Sequence, residues 1–142
     1  MALTREEREK FLAEPHVAAL AVDSGEKGRA PLTVPIWYQY EPGGDIWIMT
    51  GLNSRKGVLI AAAGRVSLMV DRVTPTVRYV SVEGPVVETV PATREQLTEI
   101  SARYLAPEKV EAYVDFAWKE YADQMIYRIR PQHWLSADLG EG

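Results

Sequence analysis

Apolar residues in this chain come in short extended runs separated by clusters of Gly, Pro, Asp and Ser, with longer helix-period segments set between them. His16 to Val22 is apolar and partly β-branched, Asp23 to Gly28 has turn chemistry, and Pro31 to Tyr40 resumes as an extended run, so the spacing predicts a hairpin. A second turn, Glu41-Pro42-Gly43-Gly44, leads into Asp45 to Thr50. Bulky residues are so dense in that third strand that both of its faces are expected to be covered, and the three runs together predict an antiparallel meander.

The period changes on either side of this meander. Thr4 followed by Glu7 forms a capping box, predicting a short helix that buries Phe11 and Leu12 and stops at Pro15. Lys56 to Ala63 predicts a second short helix closed by Gly64, and Arg65 to Asp71 a strand. Val77 to Val90 is a long β-rich run with Gly84-Pro85 inside it, where a missing amide and a flexible residue predict a bulge or a barrel corner. Thr93 and Gln96 form a second capping box for a helix to about Leu105, and Pro107 suits the first turn of a further helix through Val110, Val114 and Ala117. The last strand is expected from Gln124 to about Leu135. The sum is a mainly β (α+β) chain: a six-stranded antiparallel split β-barrel, Greek-key-like, with short flanking helices, as one domain over residues 1–142.

Composition narrows the chemistry. The chain has 142 residues, 46% hydrophobic and 25% charged, enough for one core. Without cysteine it has no disulfide, thiolate metal site or thiol nucleophile, so redox chemistry must come from a cofactor. Its net charge of −4 argues against a nucleic-acid surface. No apolar run is long enough to span a bilayer, and the first residues do not resemble a signal, so a cytoplasmic location with no membrane association is expected. His16 and His133 lack carboxylates at ligand spacing, so no metal site is expected. Ser67, Ser81 and Ser101 lack the glycines of a nucleophile elbow. Glu95, Glu99, Arg103, Glu108, Lys109 and Glu111 read as a solvated helical face.

One segment carries distinctive chemistry. In Thr50-Gly51-Leu52-Asn53-Ser54-Arg55-Lys56, hydroxyls, flexible backbone and two adjacent cations stand where a strand hands over to a helix start. Free amides and the helix dipole favour an anion there, Arg offers a two-pronged contact and Lys a compact charge. By spacing alone, a solvated turn capped by Ser54 is the commoner explanation.

Resemblance shifts that balance. The segment Asp45 to Gly57 resembles the strand-turn-helix of the pyridoxamine 5′-phosphate oxidase family, in which Thr and a Ser-Arg-Lys-Gly turn hold the FMN phosphate. Arg65-Val66-Ser67-Leu68, Arg78 to Gly84 and Tyr127 to Pro131 resemble its later strands in the same order, so the likeness runs from about Val17 to Leu135. It implies phosphate contacts from Thr50, Ser54, Arg55 and Lys56. It further implies that Val34, Pro35, Ile36 and Trp37 lie along the flavin ring, that Met49, next to Thr50 on the same strand, also binds the cofactor, and that Tyr79 takes the place of a ring-contacting Gln. A phenol there changes the hydrogen bonding to the ring. Thr33 to Trp37 also supplies none of the family's ring-side cations, which would stabilise a reduced anionic ring less.

The family's C-terminal tail, whose Arg and His residues grip the substrate phosphate, has no counterpart before Gly142, so pyridoxamine phosphate is not the expected substrate. The implied function is an FMN- or coenzyme F-420-dependent oxidoreductase. It would transfer hydride to or from a small planar substrate, in a homodimer with the cofactor at the subunit interface. FMN is closest to the motif. For F-420, with its acidic tail, Lys27, Arg29 and Arg72 are candidate contacts. Trp37, Tyr38, Tyr79 and Trp134 are the expected aromatic walls of the pocket. A non-catalytic flavin or haem binding protein, or a barrel that serves only as an interaction module, remains open at this stage.

Overall fold

Thr4 and Thr93 each accept a hydrogen bond from the backbone three residues on and have it returned by Glu7 and Gln96, so the two capping boxes open helices where the sequence places them. The computed structural model describes residues 1–121 and 123–140. In chain order the elements are α1 (Arg5–Ala13), β1 (Ala18–Val22), β2 (Leu32–Ile36), β3 (Tyr38–Tyr40), β4 (Ile46–Gly51) and α2 (Arg55–Ala63). They continue as β5 (Arg65–Arg72), β6 (Arg78–Pro91), α3 (Arg94–Tyr104), α4 (Pro107–Glu120), β7 (Gln124–Ile129) and β8 (His133–Asp138).

The strands pair antiparallel in the order β2-β1-β5-β6-β7-β4-β3, with β8 also lying along β6. β6 makes this possible by changing partners partway. Its first half pairs with β5 and β8, its second half with β7, and the change falls at Gly84-Pro85, with a register shift between Val86 and Glu88. The glycine is required by a close approach: a Cβ on Gly84 would lie 1.7 Å from the Arg130 carbonyl oxygen. The result is a curled antiparallel sheet, a half-barrel, with four helices, which is the expected split-barrel class.

The strand count differs from six. Pro31 to Tyr40 is two strands, because the chain leaves the β1 ladder at Trp37 and joins β4 through β3. At that corner the Tyr104 hydroxyl replaces lost ladder bonds, accepting from the Tyr38 amide (3.1 Å) and lying 2.7 Å from the His16 carbonyl to which it donates. The last extended run also divides, into β7 and β8, at Arg130-Pro131-Gln132. Pro131 has no amide to donate there, and the flanking amides turn onto β6, Arg130 to Pro85 and Gln132 to Glu83.

Two cores result. Phe11, Leu12, Leu20, Tyr38, Ile46, Ile48, Ile60, Leu68, Val80, Val82 and Ile129 belong to the larger one, inside the half-barrel. Trp47, Leu97, Ile100, Val114, Ala117 and Ile126 form the smaller one beneath α3 and α4. Alternate residues of β4 feed both, which explains its unbroken apolar sequence: Ile46 and Ile48 face the barrel, Trp47 and Met49 the helices. Each such side chain removed from water stabilises the fold by about 1.5–3 kcal/mol. No helix of the described residues is long and apolar enough to cross a membrane.

Candidate functional site

β4 ends at Gly51, and three residues later Ser54 caps α2. Its hydroxyl donates to the Gly51 carbonyl (2.7 Å), accepts from the Gly57 amide (3.1 Å) and lies 3.2 Å from the Thr50 hydroxyl. The turn is tight because α2 begins against the strand it leaves: a Cβ on Gly57 would sit 2.1 Å from the Gly51 carbonyl oxygen and 3.1 Å from the Tyr127 hydroxyl. Among the described residues the amides of Arg55 and Lys56, first in the helix, have no hydrogen-bond partner. Neither side chain forms an ion pair among the described residues. Two free N–H groups, two hydroxyls and the positive end of a helix dipole thus converge on one spot.

That spot opens into a groove of about 710 Å³ between the β2–β3 corner, the end of β4 and the inner faces of α3 and α4. Its volume is within the range of about 300–1,000 Å³ typical of cofactor sites. Pro35, Ile36, Trp37, Met49, Thr50, Ser54 and Lys56, all candidate site residues, line it together. Trp37 is fixed by a parallel stack on Tyr104 at 4.8 Å and a tilted contact with Tyr113 at 5.8 Å. Burial pushes the Tyr113 hydroxyl above its ordinary value, so this wall stays neutral at physiological pH.

Other candidates lie elsewhere. Arg55 is exposed and off the groove wall. The Val34 side chain packs on the barrel core, where β2 alternation sends it inward opposite Leu20. Tyr79 sits on β6 between Asp71 and Ala137, on the outer sheet face and outside the groove.

Two further aromatic residues were expected in the pocket and are not there. Tyr38 is fully buried, donating to the Leu12 carbonyl at 2.6 Å beneath the Arg103 guanidinium, and burial drives its hydroxyl well above the ordinary value. Trp134 lies under Arg8, away from the groove. The basic candidates for an acidic tail do not line the groove either: Arg29 pairs with Glu26, Arg72 with Thr76 and Asp138, and Lys27 is exposed.

The sequence pattern missed what the helices contribute. Leu97, Ile100, Tyr113, Ala117, Glu120 and Tyr121 line the groove, with Asp123 and Gln124 at the start of β7. The signal was present in Val110, Tyr113, Val114 and Ala117, spaced by three and four residues along one helical stripe. Arg103 is likewise no solvated side chain; it clamps the Ala13 and Glu14 carbonyls at 2.8 Å each. Among the described residues no three His, Asp or Glu side chains group as a metal ion would require.

The model of the family described as pyridoxamine 5′-phosphate oxidase matches residues 4–137. No curated protein matches the sequence. Among solved structures, a conserved hypothetical protein of Mycobacterium tuberculosis is 26% identical, with 97% of this chain and 86% of that one covered and a TM-score of 0.71. An F-420 reductase is 23% identical over 89% of this chain and 94% of the other, with a TM-score of 0.68. A FAD-binding protein of Mesorhizobium loti is 22% identical over 97% and 95%, also with a TM-score of 0.68. With a family match running nearly end to end, and with the Thr50 to Gly57 turn opening into a cofactor-sized groove, the chain belongs to the pyridoxamine 5′-phosphate oxidase family.

Proposed function

We propose that this protein is an oxidoreductase that uses FMN, or alternatively coenzyme F-420, to transfer hydride to or from a small planar substrate. The observation that carries the proposal is the α2 N-terminus, where the free Arg55 and Lys56 amides, the Ser54 and Thr50 hydroxyls and the half-buried Lys56 side chain meet at one end of an apolar groove. Those donors suit a phosphate monoester. Pro35, Ile36, Trp37 and Met49 give the rest of the groove the flat apolar walls a ring system needs. The bound cofactor would supply the hydride chemistry, while these residues hold it, orient its ring and exclude water.

An F-420 reductase and a FAD-binding protein share the fold, which supports this cofactor class. Lys56 is the only cation on the groove wall among the described residues, and Glu120 and Asp123 line it too. A second phosphate would be poorly held there, which argues for a substrate other than pyridoxamine phosphate.

The proposal includes a homodimer with the cofactor between subunits. Val17, Met69 and Leu135 are exposed apolar residues on the outer sheet face beside Ala19, Ala21 and Tyr79, a surface suited to burial against a second copy. In such a pair Tyr79 would serve the partner's cofactor rather than its own.

The test is a titration of apo protein with FMN and with reduced F-420, followed by a screen of planar acceptors with whichever binds. Binding with turnover supports the enzyme. Binding without turnover of any acceptor would favour a carrier of the same cofactor, and no binding of either would overturn the cofactor assignment.

A further inference from the structure

A second cavity, of about 290 Å³, lies between α1, the turn after β3 and the segment joining β7 to β8. It shares no lining residue with the cofactor groove. Three guanidinium groups line it, from Arg5, Arg8 and Arg130, against two carboxylates, Glu9 and Asp45. We propose that this cavity binds a small oxyanion, a phosphate or a carboxylate, through the free edge of Arg8 with support from Arg130.

The two carboxylates leave positive charge unmatched. Glu9 is already engaged: it takes the Arg5 Nε at 3.1 Å, the Gly43 amide at 2.8 Å and the Tyr40 hydroxyl at 3.3 Å. Asp45 stands 3.6 Å from the Arg130 Nε, too far for a hydrogen bond. Arg8 forms no ion pair among the described residues. Its Nε is buried without a partner, although a buried N–H that makes no bond is costly.

Arg8 is nevertheless held in place. Its guanidinium lies 4.6 Å above the Trp134 ring, and the Tyr40 ring meets Trp134 edge-on at 6.5 Å. Among the described residues no acceptor takes an N–H of this guanidinium, which leaves those groups for a ligand. Two oxygens of a phosphate or of a carboxylate match the edge of a guanidinium. The cavity admits only a small ligand, and with both rings occupied by each other and by Arg8, it offers charge rather than a stacking surface.

The experiment titrates inorganic phosphate and, separately, citrate into ¹⁵N-labelled full-length protein. The Trp134 indole N–H reports on this cavity and that of Trp37 on the groove. A saturable Trp134 shift is expected with at least one anion. Arg8→Lys keeps a cation on the ring and removes the fork, and Arg130→Gln alters an exposed side chain; each should weaken that response about tenfold or more, as loss of one charge-assisted contact implies. Saturation by phosphate alone identifies a phosphate-bearing ligand, and by citrate alone a polycarboxylate. A Trp134 signal that stays still with both anions at millimolar concentration, or that responds in both variants as strongly as in the unsubstituted protein, overturns the proposal.

Discussion

Ser54 uses one hydroxyl to hold three things together: the Gly51 carbonyl, the Gly57 amide and the Thr50 side chain. Ser54→Ala should cost about 1 kcal/mol of stability as a lost N-cap, measurable by urea unfolding, and should weaken cofactor binding by more than the cap alone explains. Lys56 and Arg55, neighbours in sequence, are not equivalent in place. Lys56→Ala is expected to weaken FMN binding by about 1.5–3 kcal/mol, read from flavin titration, and Arg55→Ala by clearly less, because only the former lines the groove. Equal losses would show that Arg55 turns inward when the cofactor binds. Gly57→Ala should be more damaging than either, since a Cβ 2.1 Å from the Gly51 oxygen forces α2 off the end of β4.

At the scale of elements, the β2–β3 corner, α3 and the groove wall are one assembly. Tyr104 supplies the hydroxyl that completes the corner and the ring on which Trp37 stacks. Tyr104→Phe keeps the ring and strips the backbone partners of His16 and Tyr38. It should lower stability by about 1–3 kcal/mol in chemical denaturation and leave the stack in place.

The helices, the capped turn from Thr50 to Gly57 and the bend at Gly84-Pro85 were legible in sequence because caps, Gly and Pro act locally. Corners were not. Trp37 is apolar and interrupts nothing in the pattern, so a strand break enforced by Tyr104, far along the chain, left no local mark. The break at Pro131 did carry a signal, a residue without an amide, inside an otherwise extended run. The pocket aromatics divided for a related reason: alternation along a strand tells which residues share a face, and the curl of the sheet decides that Tyr38 faces the barrel interior while Trp37 faces the groove.

For the molecule as a whole, Met1 is tied to the end of β8. The Met1 ammonium donates to the Asp138 carbonyl, and the Asp138 amide donates back to the Met1 carbonyl, each at 2.9 Å. The Asp138 side chain accepts from Thr76, the Gly140 amide and Arg78, and these bonds lower its pKa from 3.8 to about 2. A carboxylate more acidic in the fold than in the open chain contributes stability above its unfolded value, and that contribution disappears as pH falls from about 4 to 2. Asp138→Asn should therefore flatten the acid limb of a stability–pH curve in that window while leaving the slope near neutrality unchanged. On the opposite sheet face, the proposed dimer predicts that Leu135→Asp sediments as a monomer and binds the cofactor more weakly, whereas sedimentation identical to that of the unsubstituted protein would place the interface elsewhere.

The exchange of partners along β6 also bears on how the chain is made. β1 has no ladder on its β5 side until α2 has passed, and β4, with both faces apolar, pairs on its inner edge only when β7 arrives near the end of synthesis. Most pairings are distant in sequence, which predicts slow folding. A ribosome would expose Ile46-Trp47-Ile48 for most of the time it takes to translate the domain, leaving that strand as the segment most dependent on chaperones in a growing cell.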